Sequence, residues 1–164
     1  MNDRAGRIGL WATAIVCVVL WASGGAARAG DSFYGKVTAV RSADVVVMSY
    51  GRGEYVVRLF GVEAPREGAI AEQARAVVAK LVLGKSARFR LERRTPNGEM
   101  VGRLLADDAT AGVRDVGLGL LRAGLVRRRE GADGKYGELA AAEADARKAK
   151  RGLWAQTSPA RGPN

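Results

Sequence analysis

The sequence predicts an α+β fold, a small five-stranded OB-type β-barrel, closed and antiparallel, with about three α-helices. Three observations carry this expectation. Strand-like runs fall into two hairpin-like groups, residues 33–62 and 85–106. Stretches with helical apolar spacing lie between and after those groups. The chain has 164 residues, which suits one compact domain.

In the first group, residues 33–48 (FYGKVTAVRSADVVVM) read as two strands interrupted at Ser42-Ala43-Asp44. Gly51-Arg52-Gly53 marks a hairpin turn, and EYVVRLFGV is a third strand. Ala74, Val77, Val78 and Leu81 then recur at i, i+3, i+4 and i+7, with Gly84 where a helix C-terminus needs it. In KSARFRLERR, Ala87, Phe89 and Leu91 face one way and Arg88, Arg90 and Glu92 the other, the pattern of a half-buried strand. Asn97-Gly98 suits a turn with positive φ, and MVGRLLA pairs back. VRDVGLGLLRAG is a weaker helix, because Gly117 and Gly119 lower its propensity. The last helix places Leu139, Ala142, Ala146 and Ala149 on one face and stops at Gly152, leaving Leu153 and Trp154 to fold back on the core.

The N-terminus reads differently. Arg4 and Arg7 precede an apolar run that is too short to span a bilayer and ends in Ala27-Arg28-Ala29. This predicts a signal peptide over residues 1–29, export to the periplasm or the medium, a domain over 30–156 and a loose tail over 157–164. The sole cysteine, Cys17, would leave with the signal, and the chain has no histidine. A mature protein without Cys or His excludes cysteine nucleophiles, Ser-His pairs, Cys/His zinc cages and disulfides. Catalysis would fall to carboxylates, Lys, Arg, Tyr or hydroxyls, and any metal would be hard and oxygen-bound. The net charge is +10; without residues 1–29, 24 basic residues face 16 acidic ones, a net of +8. Such an excess favours polyanions, nucleic acid among them, although solubility alone can also account for it.

The stretch VVRLFGVEAPRE, residues 56–67, sets a permanent cation, Arg58, into an apolar strand and ends in a cluster of charges. Together with GKVTAVRSADVVVM before it, NGEMVGRLLA after it, and LLRAGLVRR and AEADARKAKRGLW near the end, it resembles the staphylococcal-nuclease-like (thermonuclease) family. The resemblance covers about residues 33–154 and rests on four motifs in order, the last two stretches together matching one helix–strand–helix ending. It implies an OB barrel with three helices and hydrolysis of DNA and RNA phosphodiesters with Ca²⁺. It also implies that Arg58 and Arg103 converge on the scissile phosphate, while Asp44 and Glu63 hold the metal. The logic is electrostatic: attack on an anionic phosphodiester builds negative charge, which guanidiniums and a divalent cation stabilise while a carboxylate takes the proton.

The motifs also depart from the family pattern. Ser42-Ala43-Asp44-Val45 stands for Asp-Gly-Asp-Thr, Glu63 for an aspartate and Ala64 for a threonine. Arg66 occupies the general-base position, with Glu67 next to it as the substitute base and Arg66 as a third phosphate contact. Without base assistance a rate falls by about 10²–10⁴. Arg127-Arg128-Arg129 replace the aromatics expected to stack on bases; Tyr136 could stack instead, or pack at a helix start. Each candidate also has a plain structural reading: basic side chains covering apolar surface and carboxylates solvated beside turns. The expected function is therefore a weak, exported, monomeric endonuclease, with a non-catalytic polyanion-binding module as the alternative.

Overall fold

The computed structural model describes residues 30–106, 115–130 and 137–155. The expected signal segment with Cys17, Tyr136 and the tail lie outside the described residues. Strands β1 (Ser32–Ser42), β2 (Val45–Tyr50) and β3 (Gly53–Leu59) form a meander. A two-residue strand β4 (Val62–Glu63) and helix α1 (Ala69–Val82) follow, then the hairpin of β5 (Ser86–Arg94) and β6 (Met100–Ala106). Helix α2 (Val116–Arg122), a second short strand β7 (Arg127–Arg128), helix α3 (Gly137–Lys148) and a 3₁₀ turn (Gly152–Trp154) complete the chain.

The five long strands close in the order β1-β2-β3-β6-β5, with β1 pairing antiparallel to β5 to seal the ring. The all-antiparallel expectation needs one correction, because β3 and β6 pair in parallel, Arg58 beside Val101 and Leu59 beside Gly102. Parity requires this. A closed ring with an odd number of strands cannot alternate direction at every step, so one pair must run the same way. The result is a mixed five-stranded barrel with three helices.

Period-two alternation fills the interior. Phe33 and Val37 of β1, Val46 and Met48 of β2, Val57 and Leu59 of β3, Phe89 and Leu91 of β5, and Met100 and Leu104 of β6 are all buried. Each such side chain contributes about 1.5–3 kcal/mol by leaving water. The α1 stripe is rotated slightly from the predicted one. Ala74, Val78 and Val82 are fully covered, whereas Val77 and Leu81 are partly so. In α3, Leu139, Ala142 and Ala146 are buried as expected and Glu143 joins the buried face, while Ala149, just past the helix end, is exposed. The Leu153 amide donates to the Gly124 carbonyl at 2.9 Å, which ties the C-terminal turn to the end of α2.

One irregularity positions the site. The β5–β6 register holds from Ala87 to Leu91 and then slips by one residue, so that Arg93 faces Val101. Glu92 is the extra residue of a β-bulge, a device that re-aims the side chains after it. Strict alternation would turn Arg93 inward with Ala87, Phe89 and Leu91; instead it is exposed.

Gly102 is where the wall tolerates no side chain. A Cβ there would overlap the Arg90 carbonyl oxygen and come within 2.6 Å of Phe89 Cζ. Gly102→Ala is expected to lower unfolding free energy by about 2 kcal/mol or more, as overpacking against backbone does. Urea denaturation would measure this, and an unchanged midpoint would mean the β5–β6 contact is looser than described.

Candidate functional site

Arg58 leaves β3 at the barrel mouth and is held on both sides. Its Nε and Nη2 donate to the two oxygens of Glu99 at 3.1 and 3.0 Å, a bidentate fork. Its Nη1 donates to Asp44 Oδ2 at 3.1 Å. Asp44 sits in the turn between β1 and β2 and is 6% exposed, and its other oxygen accepts from Ser42 Oγ at 2.6 Å. The hydrogen bonds that Arg58 donates to Glu99 raise its pKa above the ordinary arginine value, against the opposing effect of burial, and the charges of Glu99 and Asp44 add to the rise. Arg58 is therefore a fixed charge.

This cluster forms one side of a cleft of about 580 Å³. Glu63, Arg66, Arg93, Thr95, Val101 and Arg129 also line it. The small β4–β7 sheet brings the loop after β4 to the cleft. Glu63 pairs with Arg127 and Val62 with Arg128, and the Arg129 amide donates to the Gly61 carbonyl at 2.9 Å. Arg129 Nη2 then lies 3.9 Å from Asp44 Oδ2. Buried Glu143 supports this edge from α3, accepting from the Arg128 amide at 2.9 Å.

Asp44, Arg58, Glu63 and Arg66 thus meet around one recess. Arg103 and Glu67 are not among its lining residues. Arg103 Nε donates to Asp115 Oδ2 at 2.6 Å and its Nη2 lies 2.7 Å from Glu138 Oε1. Asp115 is the N-cap of α2, its Oδ1 accepting from the Leu118 amide at 2.9 Å. Burial works to lower the Arg103 pKa but is outweighed by Asp115 and then Glu138, so the net shift is upward. An ion pair to the helix cap holds Arg103, which lines a small crevice with Leu59 and Phe60 rather than the main cleft. Glu67 is exposed on the loop before α1.

Sequence reading also passed over the full part played by Glu99, Arg93 and Arg129. The signal for Arg93 was present: an arginine at the inward parity of an otherwise regular alternation implies a bulge or a strand end.

The carboxylates do not fit a calcium site. A Ca²⁺ ion takes six to eight oxygen ligands, several of them carboxylates. Among the described residues no three acidic side chains are grouped to hold an ion. Asp44 and Glu99 are already engaged by Arg58, and four arginines face three carboxylates around the recess. That balance suits an anion.

A closed five-stranded barrel with helical flanks and an arginine-lined mouth defines a compact domain of the kind that engages anionic polymers. The chain belongs to the family described as Staphylococcal nuclease homologue, whose sequence model matches residues 56–156. That family points to nuclease-type function and nucleic-acid binding, and is typically calcium-dependent. A comparison with curated proteins gave no match. Among the described residues, no helix is long and apolar enough to cross a membrane.

Removing Arg58 leaves the buried Asp44 carboxylate with less compensation. Arg58→Met is expected to cost about 2 kcal/mol, below the full value for a buried pair because the arginine is 31% exposed. Arg66→Met, on the exposed loop, should change stability by less than about 0.5 kcal/mol. Paired denaturation curves would check the difference, and equal losses would contradict the assigned role of Arg58.

Proposed function

We infer that this protein is an exported, monomeric phosphodiesterase of the nuclease type that seats the backbone of DNA or RNA in the arginine-lined cleft and cleaves it slowly. The observation that carries the reading is one recess, in a chain of this family, bearing Arg58, Arg66, Arg93 and Arg129 with Asp44, Glu63 and Glu99. Export rests on the charge and apolar pattern of residues 1–29.

Guanidinium groups match phosphate oxygens in pairs and stabilise charge that builds as water attacks phosphorus. Two features make the reaction slow. Arg66 stands where a general base is expected, and Glu67 does not line the cleft. Arg58 must also loosen its fork on Glu99 before it can meet a phosphate. Absence of base assistance alone lowers a rate by about 10²–10⁴.

A second reading, nucleic-acid binding without cleavage, is favoured by the engagement of Arg103 with Asp115 and Glu138. The two readings separate in one experiment. Mature protein incubated with single-stranded DNA or RNA, with Ca²⁺, Mg²⁺ or Mn²⁺ added in turn, is expected to give slow cleavage that drops further in Arg58→Ala. Cleavage unchanged by that substitution would exclude this site. Binding without cleavage would establish the second reading. In either case log affinity should fall with log salt, with a slope of about −2 to −3 for three to four neutralised phosphates on a single strand.

A further inference from the structure

We propose that Arg93 and Arg129 are the pair that grips the nucleic-acid phosphate, and that they do so without a divalent metal; this deepens the reading of the cleft given above.

Arg58, the conspicuous cation, is committed elsewhere. Its Nε, Nη1 and Nη2 each already reach a carboxylate. An incoming phosphate would have to displace Glu99 or Asp44 to reach that fork. Arg93 differs. Among the described residues it has no ion-pair partner, and the bulge at Glu92 is what turns it outward. The register places it opposite Arg58, with Val101 of β6 between the two. Adjacent strands are about 4.8 Å apart, so the two backbones lie roughly 10 Å from each other across the cleft floor.

Arg129 approaches from the other wall. Its amide is fixed to Gly61, while its buried Nε has no hydrogen-bond partner among the described residues. Arg93 and Arg129 both line the main recess and also the adjoining one of about 100 Å³ that carries Glu130. An oxyanion between them would meet two forks that are not already bonded to Glu99, as Arg58 is.

The same placement excludes the metal. Arg58 Nη1 and Arg129 Nη2 both approach Asp44 Oδ2, at 3.1 and 3.9 Å. A divalent cation at Asp44 would face two guanidiniums at close range. The arginines take over the neutralising role, and the ligand is an anion bound directly.

The test uses the mature chain and a fluorescein-labelled oligothymidylate, with anisotropy read across a salt series in EDTA and again in Ca²⁺. Arg93→Gln and Arg129→Gln are each expected to weaken affinity about tenfold, the scale of one charge-assisted contact. Each should also flatten the salt slope by about one unit. Arg75→Gln, on the outer face of α1, should match wild type. Arg129→Lys should restore the slope but not the full affinity, since the charge returns without the fork. Replacing EDTA with Ca²⁺ should shift Kd by less than about twofold, well under the tenfold step that marks a lost contact. Wild-type affinity and slope in both glutamine variants would overturn the pairing while leaving the cleft reading intact. Binding that appears only with Ca²⁺ would overturn the metal-free grip. Failure of the unaltered protein to bind would remove the underlying reading itself.

Discussion

One guanidinium ties together three parts of the chain that are distant in sequence. Arg58 projects from β3, Asp44 belongs to the β1–β2 turn, and Glu99 ends the turn that leads into β6. A carboxylate as buried as Asp44 is tolerated only because its charge is met by hydrogen bonds, from Arg58 and from Ser42. The arrangement fixes the mouth of the barrel: the meander, the second hairpin and the parallel seam between β3 and β6 all meet at this ion pair. It also explains why a fully charged residue stands in an apolar strand. The strand needs a cation whose state does not vary with pH, and arginine is the side chain that supplies it.

The same economy appears on the flank, where polar groups serve twice. Asp115 caps α2 with one oxygen and holds Arg103 with the other. Glu143 accepts from the Arg128 amide and also lies 3.3 Å from Arg147 Nη2, joining α3 to β7. These contacts stiffen the edge that carries Arg129, and they consume Arg103. A residue that could face substrate has become part of the scaffold, while Arg93, which a regular strand would bury, has been brought into the recess by a single inserted residue.

Much of the fold was legible because the barrel follows simple periodicities. The alternation of Ala87, Phe89 and Leu91, the turn at Asn97-Gly98 and the helical spacing of Ala74 and Val78 each translate directly into structure. Less legible were features set by closure and by tertiary pairing. The parallel β3–β6 seam follows from strand count rather than from any local motif. The two-residue strands β4 and β7 are too short to show periodicity. In the site, motif position located Asp44, Arg58, Glu63 and Arg66 around one recess but did not foretell the ion pairs that hold Arg103. Motif spacing along β6 says nothing about the helix cap that captures its guanidinium. The bulge that frees Arg93 breaks the very alternation from which strand faces are read.

The indole of Trp154 lies 5.5 Å from the Arg127 guanidinium and 4.3 Å from that of Arg147. The other two tryptophans, Trp11 and Trp21, fall within the first 29 residues. In a chain lacking those residues Trp154 is the single tryptophan, and the guanidinium of Arg127 in β7, two residues before Arg129, lies over its ring. The C-terminal turn thus carries an intrinsic optical gauge of how firmly that strand is docked, readable without any label.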